Sequence, residues 1–237
     1  GNGISIIIFA GIVAGVPDAI KYLAGLLMVG EIGWFSILSL LIISALIIAG
    51  VVFIQEGQRR IPVQYAKRVV GRKVYGGQSS HIPLKVNQAG VIPIIFGISL
   101  MAFPATIATW LPQNSGFALF ANKWLTMNGS IYSIPYLTVY ALLIIFFTYF
   151  YTGITFNPVD VAENLKKYGG FIPGIRPGRP TSDYLFKILG KVTMAGGLFL
   201  ALIAVLPSLV MGITGIENIY LGGTSLLIVV SVALDTM

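Results

Sequence analysis

Apolar stretches that carry no charge alternate with polar segments along this chain. One lies between Glu31 and Glu56, and another lies between Lys191 and Glu217. About 20 consecutive apolar residues are enough for a helix to cross the hydrocarbon core of a bilayer. The chain is 56% hydrophobic and only 10% charged, whereas soluble domains carry roughly 25% charged residues. The pattern therefore predicts an integral membrane protein.

Six of these stretches are predicted to span the membrane, in an all-α, polytopic helix bundle. The first stops at Pro17 and is short for a span, and the segment after it, AIKYLAGLLMVG, is expected to form an interfacial helix. The third contains Pro93 and Pro104, each of which removes a backbone donor, so this helix is expected to be bent or hinged. Because the chain opens with GNGIS, inside an apolar run and without an initiator Met, it is expected to be part of a longer polypeptide. The predicted spans are residues 4–16, 34–54, 91–111, 134–155, 192–212 and 220–234.

Two long basic loops, residues 55–90 and 156–191, separate these spans. They hold all of the 15 Lys and Arg residues except Lys21 and Lys123. Loops rich in Lys and Arg stay on the cytoplasmic side of a membrane, because charges are costly to place in hydrocarbon. Both loops, and with six spans both ends of the chain, are therefore predicted to lie in the cytoplasm.

Each basic loop carries local structural signals. Apolar and polar residues alternate in IPVQY, and Val70-Gly71 offers a turn, which together predict a β-hairpin. In the second loop, PVDVAENLKKYGG predicts a short helix that ends at Gly169. GFIPGIRPGRP is expected to be an exposed, stiff loop tip, and Thr181 or Ser182 is expected to cap the helix that leads into the fifth span.

Residues that carry chemistry are scarce. The chain has no cysteine and one histidine, His81, which is expected to be a surface group of the first basic loop. No nucleophile elbow, metal-binding pair or phosphate-binding loop occurs, so no catalytic residue, cofactor or metal site is predicted. The predicted spans hold no Asp, Glu, Lys or Arg, whereas coupled transporters keep such groups near the midplane. The composition favours a passive scaffold or pore over an active transporter or an intramembrane hydrolase.

Five motifs occur in order along the chain: GNGISIIIFAGIVA, GQRRIPVQYAKR, HIPLKVNQAGVIPIIF, FNPVDVAENLKKYGGFIPGIRPG and GGTSLLIVV. They resemble those of the SecY family, the pore subunit of the Sec protein-conducting channel. The resemblance covers essentially all 237 residues and implies segments five to ten of a ten-segment fold with two pseudo-symmetric halves. It also implies a function, a gated pore for secretion of unfolded proteins across the membrane and lateral release of hydrophobic segments into it.

The resemblance also implies roles for residues within the spans. It places Ile4, Ile8, Ile95 and Ile228 in a hydrophobic pore ring, where aliphatic side chains resist wetting and block ions. Without the family match, isoleucines in a span are expected to face lipid. Asn87 matches a polar position of the family's lateral gate, one side of which the third and fourth spans resemble, and is alternatively expected to be the N-cap of the third span.

The two basic loops resemble the docking surface for the ATPase SecA and the ribosome. The residues implied are Lys67, Arg68, Arg72 and Lys73 at the tip of the first loop and Arg176 in the second. Contacts between such cations and phosphates weaken with salt, although the topology signal alone accounts for their number. The other partners implied are SecE, SecG, signal peptides and nascent chains, membrane lipid and the N-terminal half of SecY. The location implied is the bacterial cytoplasmic membrane.

Two other hypotheses remain open. A secondary transporter with inverted repeats would need broken helices around a substrate site at the midplane, and the uncharged spans count against it. An inert membrane anchor for a cytoplasmic assembly would show neither ion conductance nor peptide crosslinking at Ile95.

Overall fold

The computed structural model describes residues 3–30, 33–65, 68–70, 73–75, 79–112, 115–125, 134–214 and 223–236. Within these residues the chain is mainly helical, and most of its strand structure comes from the first basic loop. The helices are α1 Gly3–Val29, α2 Trp34–Glu56, α3 Ile92–Trp110, α4 Gly116–Trp124, α5 Ile134–Thr155, α6 Pro158–Lys167, α7 Arg179–Thr214 and α8 Gly223–Thr236. The strands are β1 Gln58–Tyr65, β2 Arg68–Val70, β3 Lys73–Tyr75, β4 Ser79–Lys85 and β5 Gly170–Phe171.

Five of the described helices, α1, α2, α3, α5 and α7, are long and apolar enough to cross a membrane. The helix α8 has 14 residues in the described part of the chain, whereas a span needs about 20. The helical fold class and the multi-pass character are therefore confirmed, while the number of six spans stays a prediction.

The first helix does not end where the sequence indicated. It continues through Pro17 to Val29, so the segment expected to be a separate interfacial helix is the second half of α1. A proline inside a helix removes one backbone hydrogen bond, but ending the helix among apolar surroundings would leave many more backbone groups unpaired. The expected end at Pro17 is therefore wrong.

The third predicted span coincides with α3, and its two prolines occupy different parts of the helix. Pro93 is in the first turn, where a missing N–H costs nothing, so only Pro104 is placed to bend the helix. After α3 the chain forms α4, between the third and fourth predicted spans, where no helix was predicted. The Ser115 hydroxyl caps this helix by accepting from the Ala118 backbone N–H at 3.3 Å, and small buried side chains such as Ala108 hold α4 against α3.

One apolar core, which we call the bundle core, joins the membrane helices. The helix α5 packs against α3 and α7, and α8 packs against α1, α2 and α7. The approach of α3 to α5 leaves little space at Gly97, where a Cβ would lie 3.2 Å from the Tyr140 ring. Ile94, Ile144 and Leu227 are almost completely buried in this core.

The two basic loops fold together into a smaller unit, which we call the loop domain (residues 58–65, 79–85 and 156–188). In it β1 pairs antiparallel with β4 along its length, with Ile61 opposite Ile82. The other edge of β1 pairs with β5 from the second loop, with Tyr65 opposite Gly170. Strands β2 and β3 extend the hairpin as a separate antiparallel pair, with Val70 opposite Lys73. The predicted β-hairpin is confirmed, whereas its pairing with the second loop was not foreseen.

The loop domain has its own apolar core. Residues that alternate along β1 and β4 point to one face of the sheet, and the helix α6 and the first turns of α7 cover that face. The buried members of this core are Ile61, Val63, Leu84, Leu165, Ile172 and Leu185.

The second loop begins and ends its short helix as the sequence indicated. The Asn157 side chain caps α6 by accepting from the Val159 backbone N–H at 3.1 Å, and Pro158 occupies the first turn. Gly169 follows the helix with a φ of 70°, a conformation that favours glycine.

The start of α7 differs from the expectation. The helix begins at Arg179, before Thr181, and the backbone N–H groups of Thr181 and Ser182 both donate to the Gly178 carbonyl. The predicted capping role of Thr181 or Ser182 is therefore wrong, because both residues already lie within the first turn. From there α7 continues without interruption to Thr214.

Candidate functional site

Arg176 lies in a turn between β5 and α7 that is held at both ends. On one side Ile172 is buried in the loop domain, and its carbonyl accepts from the Ile175 backbone N–H at 3.0 Å. On the other side the Thr181 hydroxyl donates to the Arg176 carbonyl at 2.8 Å. Gly178 has a φ of 107°, which few other residues adopt. The turn therefore presents an exposed Arg176 side chain on a fixed backbone.

The second basic loop carries further exposed cations besides Arg176. Among the described residues, the only ion pair joins Lys21 to Asp18 on α1, at 3.6 Å. In the described part of the second loop no carboxylate therefore neutralises a cation directly, and the surface attracts phosphate or carboxylate groups in a salt-dependent way. Its exposed cations are Lys166, Lys167, Arg176, Arg179, Lys187 and Lys191.

The predicted docking residues of the first loop belong to the hairpin tip. Lys67 and Arg72 lie outside the described residues. Arg68 lies in β2 and Lys73 in β3, and the description of both residues is limited to the backbone. The pairing of β1 with β5 connects this hairpin to the strand that leads into the turn of Arg176. The structure thus links the two loops that the resemblance names, through one sheet.

Two of the four isoleucines implied for the pore ring belong to the bundle core or pack against it. Ile228 lies in α8 and is 8% exposed, and Ile95 lies in the first turn of α3, half-buried against the same core. Ile4 and Ile8 lie on α1, but their side chains are outside the described residues.

Asn87 lies between β4 and α3 and is 4% exposed. Its Nδ2 donates to Gln55 Oε1 at 2.9 Å and to the Gly90 carbonyl at 3.1 Å. The Nε2 of Gln55 donates in turn to Ser231 Oγ. Val91 rather than Asn87 occupies the N-cap position of α3, so the alternative prediction of a cap is wrong. We call Gln55, Asn87 and Ser231 the polar cluster.

Sequence reasoning missed Gln55 and Ser231. Each stands out only as a polar residue within or beside an apolar run, and their pairing joins residues far apart in the chain. In the part of the chain that the structure describes, Asn87 Oδ1 is buried without a hydrogen-bond partner. The same residues contain no group of three or more His, Asp or Glu that could hold a metal ion.

A close backbone contact lies beside the polar cluster. The Val86 backbone N–H donates to the Gly57 carbonyl at 2.8 Å and so closes the hairpin where it leaves the membrane helices. The helix α7 passes this point at Gly196, where a Cβ would lie 2.3 Å from the Val86 carbonyl oxygen. The ends of α2 and β4 therefore meet α7 at a position that only glycine fits.

The chain matches known proteins along its whole length. A family model described as SecY matches residues 1–237. The protein translocase subunit SecY of Streptomyces galbus is 47% identical over 245 residues, which cover 100% of this chain and 54% of that protein. The corresponding subunit of Halalkalibacterium halodurans is 50% identical over 243 residues, covering 100% of this chain and 56% of that protein. The chain therefore spans about half the length of the curated relatives it matches.

Two solved structures share the fold. A SecY structure described in terms of its plug domain and closed translocation channel superposes with a TM-score of 0.64 at 19% identity, covering 99% of this chain and 58% of that one. A structure of a protein-conducting channel gives a TM-score of 0.54 at 20% identity, covering 82% of this chain and 46% of that one. At these identities the likeness concerns the fold alone.

The apolar helices, their shared core and the paired basic loops define a multi-pass α-helical membrane protein with a channel-type fold. The family match extends from the first residue to the last, and relatives at 46–50% identity carry one name. This chain belongs to the SecY family. The resemblance predicted from its motifs is confirmed.

Proposed function

We propose that this chain is part of the central, pore-forming subunit of a protein translocase. The subunit would pass unfolded proteins across the membrane and release hydrophobic segments sideways into it. The observation that carries the proposal is the SecY family match over residues 1–237, with relatives named as protein translocase subunits. The uncharged spans also favour a passive channel over a coupled transporter, because transporters keep ionisable groups near the midplane.

The pore would be narrowed by a ring of aliphatic side chains. Ile228 lies in the bundle core and Ile95 packs against it, and Ile4 and Ile8 would complete this chain's share of the ring. Such a collar resists wetting and so blocks ions, yet it offers no fixed partner that would hold a passing peptide. The chain itself would do no chemistry, and the energy would come from a partner or from the membrane potential.

Lateral release would involve α3 and α5, which pack together in the structure. The gate role of Asn87 stays a prediction. Its Nδ2 is occupied by Gln55 and Gly90, whereas its Oδ1 has no hydrogen-bond partner among the described residues. Any contribution of Asn87 to a gate would therefore act through the position of α3 or through this oxygen.

The loop domain would dock the partner that supplies the chain to be translocated, either SecA or the ribosome. Its exposed Arg176 on a fixed backbone and the other exposed cations of the second loop support this assignment, since phosphates and carboxylates are the groups such a surface attracts. The proposed setting is the bacterial cytoplasmic membrane, with the loop domain on the cytoplasmic side and with SecE, SecG and the N-terminal half of the subunit as neighbours.

Site-specific crosslinking tests the pore assignment directly. A photoreactive residue at Ile95, in the assembled membrane complex, is expected to crosslink to a stalled secretory polypeptide. The matched control is the same photoreactive residue at Leu202, an exposed position of the long helix α7, which is expected to crosslink to lipid. Equal crosslinking of the polypeptide at both positions, or at neither, would contradict the proposal and leave the transporter or the membrane anchor as the better hypothesis.

A further inference from the structure

The polar cluster joins three separate parts of the chain inside apolar surroundings. Gln55 lies in the last turn of α2, Asn87 precedes α3, and Ser231 lies in α8. Asn87 is 4% exposed and Ser231 is 1% exposed, so neither has water as a ready substitute partner. Moving α8 away from α2 would leave the buried Ser231 hydroxyl without its Gln55 donor, and a buried polar group that loses its partner is costly.

The cluster lies next to the residues assigned to the pore ring. Ser231 follows Ile228 by three positions in α8, which places both on the same side of the helix. Asn87 donates to the Gly90 carbonyl, immediately before the turn in which the Ile95 backbone N–H donates to the Val91 carbonyl at 3.2 Å. Ile228 is therefore one helical turn from Ser231, and Ile95 lies in the first turn of α3, just after the Gly90 carbonyl that Asn87 binds.

Apolar packing alone would not specify this arrangement as sharply. Contacts between aliphatic side chains are non-directional, so a helix such as α8 can slide or rotate against them with little change in buried area. Hydrogen bonds from an amide to a hydroxyl and to a second amide have narrow limits of distance and angle. A single buried polar residue can fix the register of packed helices in this way.

We propose that Gln55, Asn87 and Ser231 form a positioning lock that sets the register of α3 and α8 against α2. The lock would hold Ile95 and Ile228 at the same depth along the pore axis. The importance of this common depth for conduction rests on the proposed function. The lock itself is a statement about helix positions, and it can be tested without any translocation.

The absence of cysteine from the sequence makes a distance measurement practicable. Spin labels at Ser99→Cys on α3 and Leu234→Cys on α8, in the membrane-reconstituted complex, report the separation of the two helices. The labelled parent is expected to give a narrow distance distribution. Ser231→Ala is expected to broaden it or add a second population, and the near-isosteric Gln55→Met is expected to do the same.

Two further variants decide between a lock and a general loss of structure. Ser231→Thr keeps the hydroxyl and is expected to keep the narrow distribution, whereas general damage from any change at this position would broaden it. The control Thr106→Ala removes an exposed hydroxyl of α3 that donates only to the carbonyl of Ala102, and is expected to change nothing. Unchanged distributions in both Ser231→Ala and Gln55→Met would overturn the lock.

Ion conductance across a planar bilayer provides the functional readout. If the lock holds the ring, Ser231→Ala and Gln55→Met are expected to raise the resting ion conductance, while Thr106→Ala leaves it at the parent value. Broadened distances with unchanged conductance would overturn the link to the ring. If Ile95 fails to crosslink a translocating polypeptide, the pore assignment fails, and the distance distributions still test the lock independently.

Discussion

The Arg176 side chain is exposed, but the backbone that carries it is held at both ends. A cation that served only as a topology signal would need no particular backbone, because the membrane responds to the charge of the whole loop. Here a buried Ile172, a backbone hydrogen bond and the Thr181 hydroxyl all fix the turn. A guanidinium on a fixed backbone loses less entropy when it binds a carboxylate or phosphate at two points.

Charge reversal at Arg176 is expected to weaken docking of the proposed partner. Arg176→Glu should lower the affinity by at least about tenfold, or roughly 1.4 kcal/mol, because attraction becomes repulsion at the fixed turn. Arg176→Lys should have an intermediate effect, since it keeps the charge and loses the bidentate geometry. The measurement is binding of SecA or ribosomes to the reconstituted complex at two salt concentrations.

The control for this prediction is Lys21→Glu, which reverses an exposed cation on α1, far from the loop domain in sequence. It should leave binding unchanged. If Arg176→Glu and Lys21→Glu have the same effect on binding, Arg176 is not a docking residue.

The hydrogen-bond partners of Asn87 could not be predicted from the residues next to it in the sequence. The family resemblance implied a gate residue, and the position of Asn87 just before the third span indicated a helix cap. In the structure its partners are Gln55 and, through Gln55, Ser231. Neither partner is near it in sequence, so no local pattern could have connected them. The gate role remains a prediction.

At one position, the helix α7 packs directly against the backbone of another segment. The helix α7 passes the end of the hairpin at Gly196, and a Cβ there would lie 2.3 Å from the Val86 carbonyl oxygen. That atom belongs to the backbone, which a rotamer change cannot move. The carbonyl would have to shift together with the Gly57 hydrogen bond that closes the hairpin.

Gly196→Ala is therefore expected to destabilise the protein, by about 1–3 kcal/mol as for other overpacked sites. Gly190→Ala, six residues earlier in the same helix, meets nothing within 4 Å and should stabilise α7 by roughly 0.5–1 kcal/mol through helix propensity. The unfolding midpoint of the complex in detergent, compared across the pair, measures both effects. A similar midpoint for the two variants would mean that the close contact does not constrain α7.

The helices were predictable where apolar runs were long, and less so where short segments depend on packing. The spans that became α2, α3 and α5 follow directly from runs of uncharged residues. The helix α4 was missed because its formation depends on small residues that fit against Ala108 of α3. The expected end at Pro17 was wrong because a proline inside a helix removes only one backbone hydrogen bond. Ending the helix where no water is present would leave several backbone groups unpaired, which costs more free energy.

At the scale of the whole molecule, two loops that are distant in sequence form one folded unit. Periodicity predicted the hairpin in the first loop and the short helix in the second. It could not predict that β1 would pair with β5, because that pairing depends on Ile61, Val63, Leu165 and Leu185 sharing one core. Two basic loops on one face were foreseen from charge, whereas their common core was not.

Leu185→Ala tests whether the loop domain is a cooperative unit. Leu185 belongs to α7 and is fully buried in the core of the loop domain, so its truncation should cost about 2–5 kcal/mol. The loss should open the unit locally and speed hydrogen exchange in β1, which is more than a hundred residues away in sequence. Mass spectrometry of the peptide covering residues 58–65 measures this exchange.

The neighbouring residue supplies the control. Phe186 is 69% exposed, and Phe186→Ala should leave exchange in β1 unchanged. Faster exchange confined to α7 in Leu185→Ala, with β1 still protected, would show that the two loops unfold independently.

The helix α7 contributes residues to both apolar cores, with Leu185 in the loop domain and Leu200 in the bundle core. No break separates these residues, which lie about 22 Å apart along a helix that rises 1.5 Å per residue. A tilt of about 5° at one end of such a rod moves the other by about 2 Å. A partner that binds and tilts the loop domain would therefore also displace the part of α7 that packs in the bundle core, because both parts belong to one continuous helix.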